Sequence, residues 1–180
     1  MRQNGRSVSS MSNEERSTWA KEHMTKACIE LLMEKPIQKI TVSELCERSG
    51  AGRATFYRNY KDMTDIVRKY LIRLNHEWTE APLVLQSGMR NLADAIFSHF
   101  ERHRKFYELL NKRGLVYLMK DVITDTFGLK TDGPMIEAYS SAYVIYILYG
   151  FIEVWFQRGM KDPATELCAL LPDAPKDSVS

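Results

Sequence analysis

The chain has 180 residues, of which 44% are hydrophobic and 27% charged, and its formal net charge is +2. That hydrophobic share supplies a buried core and excludes a disordered chain, while the net charge is too small to name a polyanionic partner by itself. Cys28, Cys46 and Cys168 are odd in number, far apart and without C-x-x-C spacing, which argues against a disulfide frame or a zinc finger and fits a reducing cytoplasm.

Residues 1–11 are polar and aperiodic and read as a tail, without the apolar stretch of a signal peptide. Ser12-x-x-Glu15 is a capping box, and the first helix that follows carries Ala20, Met24, Ala27, Leu31 and Leu32 on one stripe before Pro36 ends it. Thr41-x-x-Glu44 is a second capping box, opening a short helix that stops at Gly50. Gly52 then stands at the N-cap of a helix from Arg53 to about Tyr60. Asp62 caps a fourth helix, in which Ile66, Val67, Tyr70, Leu71, Leu74 and Trp78 recur at helical spacing. Ala81-Pro82 interrupts the pattern, so a first domain is expected over 12–80 and a second over 81–172, with 173–180 as a tail.

Met89, Leu92, Ile96, His99 and His103 form one stripe of a fifth helix, and 105–110 reads as a short sixth. Leu115, Leu118, Met119 and Val122 mark a seventh, closed by Gly128. Gly133-Pro134 opens the longest helix, running to about Arg158 with Gly159 as its stop. Its uncharged run over 138–152 is 15 residues, short of the roughly 20 needed to span a bilayer, so no membrane association is expected. Apolar residues on nearly every face predict burial against more than one neighbour. Asp162-Pro163 starts a last helix that ends before Pro172. No strand-like alternation occurs, and the chain is expected to be all-α with about nine helices.

The second and third helices, joined by Gly50-Ala51-Gly52, have the form of a helix-turn-helix, whose second helix lies in the major groove of DNA. Residues 1–80 hold 14 Lys/Arg against 11 Asp/Glu, whereas 81–180 hold 11 against 12. Arg48, Arg53, Arg58 and Lys61 lie in a stretch with no acid, which favours phosphate binding through counterion release. A solvated cationic face is the bland alternative. Arg53 opens its helix, where a cation opposes the macrodipole, and a bidentate contact to guanine O6 and N7 would account for it. Ala54 is small enough to admit a base edge, Thr55 reaches a base or a phosphate, and Phe56 points to the core. Tyr57 and Tyr60 either pack or bond phosphate oxygens. Thr41 and Lys61 are expected phosphate contacts, Thr41 through its amide at a helix N-terminus.

These residues resemble the N-terminal domain of the TetR family of bacterial transcriptional regulators. The likeness covers about 17–70: a long first helix, the Ile40-Thr41-Val42-x-x-Leu45 opening, Gly50-Ala51-Gly52-Arg53-Ala54-Thr55-Phe56-Tyr57, and the Thr55-Phe56-Tyr57-x-x-Tyr60-Lys61 core. Two positions depart from it. Asn59 stands where His is common, and still donates to phosphate or pairs with adenine. Met63 stands where many members have a phosphate-binding Lys. Residues 139–171 resemble a C-terminal domain of Gram-positive regulators, the branch that includes activators of dihydroxyacetone kinase operons, on Gly150, Trp155, Gly159 and the Pro163-Ala164-Thr165-Glu166-Leu167 helix. The resemblance implies a helix-turn-helix domain followed by a helical dimerisation and ligand domain, with the last two long helices pairing two subunits. It implies a repressor on a near-palindromic operator, under the control of a small-molecule effector. An activator, or a helix-turn-helix that docks protein instead of DNA, is the alternative reading.

Candidate effector contacts are His99, His103, Tyr107, Tyr143 and Tyr146, on helices where aromatic residues otherwise serve as core. His99 and His103, at i and i+4, share a helix face, but Phe100 stands where the general-base Glu of a zincin would follow the first His, and no third ligand is evident. No metal or other cofactor is expected. There is no G-x-S-x-G, phosphate loop or paired Glu-x-x-His, so no enzyme is expected either.

Overall fold

The computed structural model describes residues 12–79, 89–127 and 131–171. Among them are nine α-helices, one 3-10 turn and no strand, so the chain is all-α. Two compact units, 1–70 and 71–180, divide inside the fourth helix. The expected tails at 1–11 and 173–180, the Ala81-Pro82 break and Gly128 lie outside the described residues.

The first unit begins with α1 (Asn13–Glu34), a 3-10 turn (Ile37–Lys39), α2 (Val42–Ser49) and α3 (Arg53–Asn59), and runs into α4 (Met63–Thr79). Both capping boxes form. The Ser12 hydroxyl accepts from the Glu15 amide and the Glu15 carboxylate accepts from the Ser12 amide, which satisfies two donors that a helix start leaves open. Thr41 and Glu44 do the same for α2. The buried stripe of α1 holds Met24, Ala27, Cys28, Leu31 and Leu32, against which α2 and α3 pack. Burying one such Leu or Met contributes about 1.5–3 kcal/mol. Desolvation pushes the Cys28 thiol up to about 12, so it serves as a small apolar side chain there.

Two ion pairs tie the end of α1 to α2. Arg48 Nη1 meets Glu34 Oε1 at 2.7 Å, and the Lys35 ammonium bonds the Glu44 carboxylate. The Lys35 bond, followed by the Thr41 amide and hydroxyl, holds Glu44 down at about 2. The turn into α3 depends on Gly50, whose φ of 69° is left-handed while its amide donates to the Cys46 carbonyl at 3.0 Å. A side chain at that φ costs roughly 1–2 kcal/mol.

In the second unit α5 (Met89–Arg102), α6 (Arg104–Lys112), α7 (Tyr117–Phe127), α8 (Met135–Gln157) and α9 (Ala164–Leu170) follow in order. α5 packs on α6 and α9, and α8 packs on α6 and α7. The centre is aromatic: Trp155 stands edge-on to Phe97 at 5.2 Å, and Phe100 edge-on to Tyr107 at 4.5 Å, the arrangement that ring quadrupoles favour. Gly159 (φ 73°) closes α8 as a Schellman motif, its amide donating to Phe156 O and that of Met160 to Trp155 O. The Arg104 side chain covers the Met160 carbonyl, and that of Asn111 adds a second donor at Phe156 O.

The sequence predicts α8 to be buried on several sides, and one stripe is buried: Ile145, Leu148, Ile152, Trp155 and Phe156. Met135, Ile136, Tyr139, Tyr143, Tyr146 and Val154 are exposed. By length and composition alone this helix is long and apolar enough to cross a membrane. The 15-residue run understates it because the helix continues past Glu137 and Glu153.

Candidate nucleic-acid interface

α3 divides into two faces. Phe56 is 1% and Tyr60 7% exposed, and both rings point into the first unit, 6.0 Å apart. Arg53, Ala54, Tyr57 and Arg58 are exposed and recur at the spacing of one helix face, continued by exposed Lys61. Tyr57 is 67% exposed although it follows the buried Phe56. Thr55 and Asn59 sit half-buried on the flank, where Asn59 Nδ2 donates to Thr55 O at 2.7 Å.

The outward cations are electrostatically open. Arg53, Arg58 and Lys61 make no ion pair with a carboxylate among the described residues, whereas Lys35, Arg48 and Lys69 in the same unit do. Arg53 Nη2 donates instead to the neutral hydroxyl of Ser43 at 2.7 Å. No acid lies in the first turn of α3, and its N-cap Gly52 provides no side-chain bond. A Cβ at Gly52 would meet nothing within 4 Å, so packing within the chain does not explain the glycine.

Two short helices at a glycine turn, with an open polar and cationic face on the second, are the parts of a DNA-reading helix-turn-helix. Residues 25–70 match the family described as bacterial regulatory proteins, tetR family. That part of the first unit is similar to a TetR-type DNA-binding domain. No curated protein matches the chain. The match spans α2 and α3 and ends inside α4, and it supports a DNA-binding helix-turn-helix transcriptional regulator.

Within this helix-turn-helix region the remaining site residues take distinct places. Thr41 is exposed, but its hydroxyl and amide are engaged by Glu44 at 2.9 Å each, so the anion expected at that amide is already a carboxylate of the chain. Of the two alternatives for Tyr60, packing describes its ring, and its hydroxyl donates to Lys21 O at 3.4 Å. Met63 is buried at the start of α4. Lys61 is fixed through its backbone: its amide donates to Asp65 Oδ2 at 3.0 Å, and Asp62 caps α4 through the Asp65 amide at 2.8 Å.

Sequence reasoning missed Lys69. Its ammonium donates to the Asn59 carbonyl at 2.6 Å, pairs with Asp65 at 3.0 Å and lies 5.2 Å from the Tyr60 ring centre. A cation at the C-terminus of α3 suits the helix dipole, and the signal was the i,i+4 spacing of Asp65 and Lys69. Arg58 was read as part of a cationic stretch and not as a member of the outward face.

The five candidate effector contacts divide between two settings. His99 and Tyr107 are buried, at 2% and 0%, and share a hydrogen bond of 2.9 Å, with the half-buried His103 ring 4.7 Å from His99. Tyr143 and Tyr146 are exposed on α8. A groove of about 710 Å³ runs along α8 and α9, lined by Tyr146, Ile147, Gly150, Val154, Trp155, Leu167 and Leu170 among others. Tyr146 lines it, whereas His99, His103, Tyr107 and Tyr143 do not. No cluster of three or more His, Cys, Asp or Glu able to hold a metal occurs among the described residues.

Proposed function

We propose that this regulator is a cytoplasmic homodimer that represses transcription by placing α3 of each protomer in successive major grooves of a near-palindromic operator. The observation that carries the reading is the outward face of α3, where Arg53, Arg58 and Lys61 pair with no carboxylate among the described residues and stand beside exposed Ala54 and Tyr57. Arg53 reads guanine O6 and N7, a contact worth about 1–3 kcal/mol against the wrong base. Ala54 lies against a base edge or thymine methyl, while Tyr57, Arg58 and Lys61 set register on phosphates. Thr55, Asn59 and Thr41 flank this face and complete the contact once DNA displaces the local bonds to Thr55 O and Glu44.

Homodimerisation rests on the uncovered apolar face of α8 and its groove with α9. A second copy supplies the matching apolar surface, and two-fold pairing sets the recognition helices about 34–36 Å apart. Small-molecule control, which the resemblance implies, would act by favouring a different spacing.

Selection of bound duplexes from a random pool, repeated at several salt concentrations, tests the reading. The expected product is an inverted repeat whose affinity falls steeply with salt, by about 10³–10⁵ between 50 and 200 mM if six to ten phosphates are contacted. A pool that stays random would reject it.

A further inference from the structure

We infer that Ser43 is a positioning residue for sequence readout: its hydroxyl fixes the guanidinium of Arg53 in the orientation that reads a base, without cancelling its charge. The inference rests on the DNA-reading role of α3. Arg53 Nη2 donates to Ser43 Oγ at 2.7 Å, across the turn that separates α2 from α3. Both residues are exposed, so burial does not force them together. An exposed Arg otherwise samples many rotamers, and the entropy lost in ordering it opposes binding. One short bond to a fixed acceptor removes part of that loss before DNA arrives.

The acceptor is well anchored. Ser43 is the second residue of α2, enclosed by the Thr41–Glu44 capping box, which fixes the backbone that carries it. Its chemistry also matters. Glu or Asp at position 43 would hold the guanidinium more tightly but would neutralise it and repel phosphate. A hydroxyl accepts one N–H and keeps its own proton to donate, and four other N–H donors of Arg53 stay open. The elsewhere-paired Arg48, locked to Glu34 through both Nη atoms, shows the alternative arrangement in the same unit.

The test uses the full-length protein, the selected operator and a second duplex in which the guanine pair read by Arg53 is replaced. Affinities are measured for the unaltered protein, S43A, S43T, R53A and the S43A/R53A double variant. S43A is expected to lose about 3- to 10-fold on the selected operator, the range of one ordinary hydrogen bond, and little on the replaced duplex. S43T, which keeps the hydroxyl, should restore discrimination, and S43A should cost nothing further in the R53A background. Equal losses on both duplexes, with a shallower salt dependence, would make Ser43 a plain phosphate contact and overturn the inference. Independent, multiplying effects of S43A and R53A would overturn it as well. If the unaltered protein discriminates no sequence at all, the DNA reading falls and takes this inference with it.

Discussion

α3 and α8 each leave one face uncovered, and the contrast between those faces separates two kinds of partner. The face of α3 is short, polar and cationic, so water solvates it at little cost until a polyanion replaces that water. The face of α8 carries Met135, Ile136, Tyr139, Tyr143 and Val154 in the open, a contiguous apolar patch of the sort that marks an interface. The lesson concerns burial rather than charge totals. A net charge of +2 says nothing of either partner, whereas the side of each helix left outside the core says a good deal.

The largest predicted effect tests the inner and outer faces of α3 against each other. Phe56→Ala should destabilise the first unit by about 3–5 kcal/mol, while the adjacent Tyr57→Ala should change stability by less than about 0.5 kcal/mol yet weaken DNA binding. Chemical denaturation with parallel binding titrations would show this, and a destabilised Tyr57→Ala would refute the two-faced description. Next, Val154→Asp places an unpaired charge on the outer face of α8. It should cost the proposed dimer about 3–5 kcal/mol and leave folding intact, as read by light scattering and circular dichroism. Arg53→Ala should lose about 10- to 100-fold on the selected operator, with a smaller loss on random duplex. A stable, folded variant with unaltered preference would remove Arg53 from the groove.

A smaller effect follows from Glu44. Its folded value of about 2 lies below the ordinary 4.5, so its contribution is complete above about 4.5 and is lost as pH falls toward 2. Stability of the first unit should drop across that window, and Glu44→Gln should flatten that part of the profile at the expense of a lower plateau. Smallest is Gly52→Ser. A hydroxyl at the N-cap should add a few tenths of a kcal/mol, while the added side chain at the start of α3 weakens binding; unchanged operator affinity would show that DNA does not come close there.

Most of the fold was legible because its punctuation is local. Ser12, Thr41, Gly50, Pro134 and Gly159 act through the backbone of their own helix ends, and the three helices they bound lie where those signals put them. The inner and outer residues of α3 were partly legible: Phe56 was assigned to the core, but a period of 3.6 alone left Tyr57 and Tyr60 undecided until packing placed one in solvent and one against α1. Contacts between elements were not legible. The bonds of Ser43 with Arg53 and of Lys69 with Asn59 each join two helices across a turn, and nothing in the spacing specifies the crossing that makes them. The outer face of α8 was open for a related reason, since apolar composition signals burial without saying whether the cover comes from the same chain.

Sedimentation velocity on the purified protein, alone and with the selected duplex, tests the central claim most directly. Two outward faces with two partners predict a dimer of the 20.9 kDa chain and a complex of two protomers on one duplex. A monomer that binds half-sites singly, or a dimer that leaves the duplex free, would contradict it.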